Sequence, residues 1–217
     1  MADYACLIQG LIDLYEAAPD PRWLREAIAL QGVLDAQYAD ASGGYWRTAA
    51  GHEQLIAREK PGQDGATPSA NSVAALNLLR LAAFTGDTEY ADRAARLFAA
   101  FWNVLERFPI ALGEMLLALD FALDTPKEVL LVSPGAGSDA ALLLDVVRGS
   151  FLPNRILATV NEGEALEAHA QLIPLLRGKR AREGRVTAYV CEDRACAAPT
   201  SDPEAFAEQL AKVKRLE

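Results

Sequence analysis

The sequence predicts an α-rich chain in which an array of αα-hairpins over residues 1–125 is followed by a small, three-stranded parallel α/β unit over residues 126–217. Three observations carry that prediction. From Tyr4 to Ala18 apolar residues recur at Leu7, Ile8, Leu11, Ile12, Leu14 and Tyr15, the stripe of an amphipathic helix. The stretch from Leu14 to Trp23 is echoed from Leu81 to Tyr90 at a constant offset of 67 positions (Asp20 to Asp87), with Ala27/Ala94 and Leu30/Leu97 keeping the register. After Asp124-Thr125-Pro126, β-rich runs alternate with helical ones.

The elements follow in order. Pro19-Asp20-Pro21 breaks the first helix, and Asp20 as N-cap with Pro21 in the first turn starts a second that runs to about Tyr38. From Asp40 to Thr67 the breakers Gly43-Gly44, Gly51, Pro61-Gly62 and Asp64-Gly65 spell a long loop, of the kind that is commonly functional. Thr67 as N-cap and Pro68 would begin the next helix, the Asp87 hairpin follows, and a fifth helix spans Pro109 to Leu123. Strands are expected at Glu128–Val132, Arg155–Val160 and Val186–Val190, with helices at Ser138–Arg148, Gly163–Leu176 and Pro203–Leu216. Arrays of hairpins stack as solenoids or close into toroids, and periodicity does not choose between them.

Composition bounds the function. The chain has 217 residues, 51% hydrophobic and 7% aromatic, enough apolar side chain to bury a core, and a formal charge of −9. Net negative charge without a Lys/Arg cluster argues against nucleic acid and membrane surfaces as partners. Asp3 in place of a basic start, and Glu114 and Asp120 inside the longest apolar stretch, argue against a signal peptide or a spanning helix. Three cysteines, Cys6, Cys191 and Cys196, fit reduced thiols in a cytoplasm, with the Cys191-x4-Cys196 pair as structural thiols.

The first chemical candidate is the run from Arg58 to Ser72. Ser69, Asn71 and Ser72 cluster at a helix N-terminus, Asp64 lies just ahead of it, and Arg58 and Lys60 are nearby, together suiting a small hydroxylated molecule. The same residues also read as caps, a turn and surface ion pairs. The second is Gly135-x-Gly137 between a strand and a helix, a permissive dinucleotide fingerprint with Glu162 past the next strand; Pro134, Asp139 and the small number of strands favour a plain capped turn, and no cofactor is expected. No metal site is expected. Glu114 and Asp120 fall on different faces of one helix, although Glu114 can still face a cavity; His52 lies in the long loop and His169 on a helix surface.

Gly43-Gly44-Tyr45, Arg58-x-Lys60, Asp64-Gly65-Ala66-x-Pro68-Ser69-x-Asn71-Ser72, Phe151-Leu152-Pro153-Asn154 and Ala188-Tyr189-Val190-Cys191 with Cys196 together resemble the C-terminal portion of the YyaL-like family, relatives of spermatogenesis-associated protein 20 known as thioredoxin-domain-containing or DUF255 proteins. One departure is Ala70, where the family pattern has glycine. The resemblance implies a partial six-hairpin (α/α) toroid like those of glycosidases and sugar epimerases, without the thioredoxin-like domain and the first part of the toroid, so thioredoxin-type activity is not carried over. It also implies a carbohydrate-binding or carbohydrate-processing role, with Asp64 as acid/base and Arg58, Lys60, Ser69, Asn71, Ser72, Tyr45, Trp46 and Glu114 lining the sugar. The alternatives are a non-catalytic module that associates with a second copy or with a missing toroid half, and a dinucleotide-binding α/β unit.

Overall fold

The computed structural model describes residues 1–51, 58–135, 138 and 140–212. His52, Gly137, Asp139 and the end of the last expected helix lie outside the described residues. Helices α1 (Ala2–Ala17) and α2 (Pro21–Tyr38) form the first hairpin, and α3 (Ala70–Thr85) and α4 (Thr88–Arg107) the second. The echoed sequence produces the same cap twice: Asp20 accepts the Arg22 N–H, Asp87 accepts the Glu89 N–H, and Ala27 and Ala94 are both fully buried. Ser69, rather than Thr67, caps α3, because its Oγ is the group that accepts the Ser72 N–H. The fifth expected helix is split: a 3₁₀ turn (Pro109–Leu112) precedes α5 (Gly113–Leu123), which packs on α3.

The sheet corrects the expectation of three parallel strands. Strands β1 (Lys127–Ser133), β2 (Arg155–Asn161), β3 (Thr187–Glu192) and β4 (Ala195–Cys196) stand in the order β2-β1-β3-β4. The crossover through α6 (Ala141–Gly149) makes β2 parallel to β1, as expected. Between β2 and β3, however, the chain carries α7 (Glu164–Ala170), a 3₁₀ turn (Pro174–Leu176) and a loop turning at Gly178 and Gly184, and β3 enters beside β1 antiparallel to it. β4 returns beside β3 through Asp193 and Arg194, both with positive φ, the backbone that a two-residue hairpin turn requires. α8 (Pro203–Ala211) starts at Asp202, whose side chain accepts the Glu204 N–H.

Leu130, Val132, Ile156, Ala158, Tyr189 and Cys191 face the helices and share one core with α1, α3 and α5. Val129, Leu131, Leu157, Val190 and Phe206 form a second cluster under α6 and α8. Charged groups stitch helices to sheet as well: Glu16 on α1 pairs with both Arg80 on α3 and Arg155 on β2.

Two further expectations are corrected. Cys191 and Cys196 are joined by a disulfide, since the hairpin turn sets them directly opposite each other, and Cys6 is the free, exposed thiol. His169 is not on a helix surface: it is 4% exposed, because α7 presses it against α1, where its Nδ1 lies 2.7 Å from Tyr15 Oη. Among the described residues no helix is long and apolar enough to cross a membrane, and no group of three or more His, Cys, Asp or Glu is placed to hold a metal ion.

Candidate functional site

The long loop after α2 is laid against the N-terminal ends of α3 and α5 by its own polar side chains. Its first turn closes with Asp40 N–H on Gly44 O and Gly43 N–H on Asp40 O. Gly43 has φ +96°, and a Cβ there would lie 2.2 Å from Arg96 O, so both the backbone and the space require glycine. Lys60 returns to this turn: its Nζ donates to Asp40 Oδ2 at 2.5 Å and to Gly43 O at 2.6 Å. The Lys60 ammonium, with help from Ser42, draws the Asp40 carboxyl down to about 2.

Asn71 clamps the same loop to α3. Its Nδ2 donates to Tyr45 O (3.0 Å) and Pro61 O (2.7 Å), while its Oδ1 accepts the Tyr45 N–H (2.8 Å). Asn71 is fully buried, and Tyr45 is buried with it. The Tyr45 hydroxyl donates to Asp35 Oδ1 at 2.6 Å and accepts from Gln31 Nε2, and Arg93 pairs with Asp35 from α4. Burial, reinforced by the Asp35 charge, pushes the Tyr45 phenol well above its ordinary range. Trp46 is half-buried with Arg58 and Lys60 both about 5 Å from its ring centre, and Arg58 also donates to Thr48 O.

The second lobe centres on Asp64. Its Oδ1 accepts the Ser69 N–H at 2.7 Å and its Oδ2 accepts the Glu114 N–H at 2.8 Å, so one carboxylate caps the start of α3 and of α5 together. Ser69 Oγ also lies 2.8 Å from Ser72 Oγ. The Glu114 carboxyl is partly buried, and burial followed by the nearby Asp64 charge raises it above the usual carboxylate range. Asp120 lies elsewhere, accepting from Asn154 Nδ2, as its different helix face requires.

The structure thus gathers the nine sequence-selected residues into two neighbouring clusters that meet at the start of α3, where Ser69, Asn71 and Ser72 stand. Lys60, Arg58, Tyr45, Trp46 and Asn71 hold the loop, while Asp64, Ser69, Ser72 and Glu114 hold the two helix ends. The polar groups of Asn71 are all engaged by the chain itself; Glu114 and the free lone pairs of Asp64 retain the capacity for chemistry. Between the loop and α4 lies a cleft of about 460 Å³, with Phe101 as its apolar wall and Arg47, Glu59, Lys60 and Gln63 around it. Gly62 rests on Phe101 so closely that a Cβ would come within 2.1 Å of the ring. Sequence reading passed over Asp35, Arg93, Glu59, Gln63 and Phe101; the Asp40-x-Ser42-Gly43 turn signal was available, but pairing across α2 and α4 leaves no local trace. In the Gly135 region, Glu162 Oε1 accepts the Ala181 N–H at 2.6 Å and is already engaged by backbone.

This is a helical-hairpin array with an appended mixed sheet and a loop-built polar site at two helix N-termini. Over most of its length the chain is similar to spermatogenesis-associated protein 20 of several mammals. It is 38% identical over 205 residues to the Homo sapiens protein of that name, and 37% identical over 205 residues to those of Rattus norvegicus and Mus musculus. Each match covers 94% of this chain and 26% of the relative, so the chain spans about a quarter of the length of the curated relatives it matches. No protein-family model matches the chain.

Proposed function

We propose that this chain is a carbohydrate-binding or carbohydrate-processing part of an α/α toroid, and that the cleft beside Phe101 takes a hydroxylated ring. The observation that carries the reading is the cleft itself: an apolar ring wall flanked by Arg47, Glu59, Lys60 and Gln63, of a size within the usual range for small-molecule sites. The two carboxyls of the second lobe supply the chemistry. Asp64, fixed by two backbone N–H groups, is the acid/base, and Glu114, whose carboxyl burial and the nearby Asp64 raise, lies beside it toward the sugar. Toroid closure and the division of the chain at residue 125 belong to the same proposal. The test is ligand-observed NMR with a panel of neutral hexoses and N-acyl hexosamines. Binding that is weakened at least tenfold by Gln63→Ala or Glu59→Gln, at unchanged melting temperature, supports the proposal; a panel in which no sugar binds overturns it.

A second reading is favoured by one surface. Trp102, Phe108, Ile110 and Leu117 are all more than half exposed, and Ile110 is 95% exposed, around the junction of α4 and α5. In this reading the module is non-catalytic and covers that face by association with another copy or another toroid segment. Where the partner is another copy, sedimentation equilibrium shows self-association that Ile110→Lys abolishes.

A further inference from the structure

The sheet edge carries a group of residues that the carbohydrate proposal does not use. Cys191 is fully buried on the helix-facing side of β3, whereas Cys196 on the edge strand β4 is partly exposed, and the two are disulfide-bonded. Lys179, from the loop before β3, places its Nζ 3.2 Å from Cys196 Sγ and 5.0 Å from the centre of the Tyr189 ring, while the Tyr189 hydroxyl donates to Arg180 O and pins that loop. Across from Cys191, on the same face of β1, stands Glu128, 5% exposed. Cross-strand partners of this kind hold their Cβ atoms about 5 Å apart. Burial raises the Glu128 carboxyl, against the opposing influence of the Arg194 N–H and charge and of Lys179. Glu192 points to the other face and is paired with Lys127.

We propose that Cys191 and Cys196 form a thiol–disulfide exchange site, with Cys196 as the attacking sulfur, Lys179 as the cation that stabilises its thiolate, and Cys191 as the resolving sulfur. The asymmetry of burial sets the roles. An ammonium beside a partly exposed sulfur favours its thiolate, whereas full burial disfavours the thiolate of the other. In the reduced protein the Cys196 thiolate attacks one sulfur of a substrate disulfide R–S–S–R′; a Cys196–S–S–R bond forms and R′S⁻ leaves. Cys191 S–H then passes its proton to the Glu128 carboxylate and attacks Cys196 Sγ, closing the intramolecular disulfide and releasing RS⁻, which takes up the proton. The substrate disulfide is reduced to two thiols and the protein pair is oxidised; two equivalents of a thiol reductant return the pair to the dithiol.

The test uses the full chain, reduced and freed of reductant, and follows iodoacetamide labelling of each cysteine by peptide mass spectrometry against pH. Cys6, exposed and unpaired, is the internal reference. Cys196 is expected to label with a midpoint at least one pH unit below that of Cys6, Lys179→Met to bring it up to the Cys6 value, and Lys179→Arg to restore it. Cys191→Ser, challenged with oxidised glutathione, is expected to accumulate a mixed disulfide at Cys196, and Cys196→Ser to form none at Cys191. Parallel arms with oxidised glutathione and with insulin as disulfide donors tell a small substrate from a protein one. Labelling of Cys196 at the Cys6 midpoint, an unaltered midpoint in Lys179→Met, or a pair that stays oxidised across the whole range of glutathione redox buffers each overturns the proposal and leaves a structural crosslink.

Discussion

The backbone N–H of Glu114 donates to Asp64 Oδ2 at 2.8 Å across 50 positions of chain. Through that bond the loop ahead of α3 becomes the cap of α5, and the acid assigned to chemistry also fixes the angle at which two helices start. Asp64→Asn therefore separates two roles. The amide offers one acceptor where the carboxylate offers two and removes a charge that both helix dipoles favour, so stability is expected to fall by about 1–3 kcal/mol. Chemical denaturation reads that loss directly. An unchanged unfolding free energy would remove the capping role, while intact sugar binding and turnover in the variant would remove the chemical one.

Asn71→Ala tests the clamp. Truncation leaves Tyr45 N–H, Tyr45 O and Pro61 O without their partner in a buried setting, and is expected to cost about 2–4 kcal/mol. Loosening should be local first: limited proteolysis is expected to cut between Trp46 and Gly62 in the variant at protease levels that leave the parent chain intact. Equal cutting rates would show that the loop is held by Lys60 and Gly43 alone.

These two residues also mark how far the sequence could be read. Asp20 and Asp87 were legible because an N-cap is local chemistry, written within three residues. The polar cluster from Arg58 to Ser72 was legible as a group but not as a mechanism, since Asn71 answers to Tyr45 and Asp64 to Glu114, contacts made only when distant segments pack. The direction of β3 was illegible for a related reason. A strand's own residues do not encode its direction in the sheet; the connection does, and here it bypasses the crossover that made β2 parallel. The Cys191–Cys196 pairing depends on Asp193 and Arg194 adopting positive φ without a glycine to announce it.

Glu114 gives a pH signature. Its carboxyl is raised in the folded protein, so the folded state holds a proton that the unfolded state has released, and the stabilisation is fully present below about pH 4.5 and lost as pH rises through the folded value. Glu114→Gln removes that loss. The variant is expected to be more stable than the parent at pH 7, by no more than about 1 kcal/mol because the group is partly solvated, and to match it at pH 4. Urea midpoints at the two pH values check the crossover; a variant less stable at pH 7 would mean that the charged carboxylate is favourably held.

His169 works in the opposite direction. Burial against Tyr15 lowers its imidazole below the ordinary histidine range, with the Asp20 charge opposing weakly, so the folded state keeps the ring neutral where the unfolded chain would protonate it. Its contribution is present above about pH 6.5 and is lost as pH falls from there through the lowered value. The neutral ring shares a hydrogen bond with the Tyr15 hydroxyl through Nδ1, and protonation brings a charge into the core between α1 and α7. His169→Gln can keep an acceptor toward Tyr15 without titrating. The variant is expected to lose stability at pH 7, because the ring contact with Tyr15 at 5.6 Å is gone, yet to show a flatter stability profile between pH 6.5 and 5 than the parent. Unfolding free energies measured in steps of half a pH unit decide it: parallel profiles for the two proteins would place the acid sensitivity of this fold elsewhere than in the Tyr15–His169 contact.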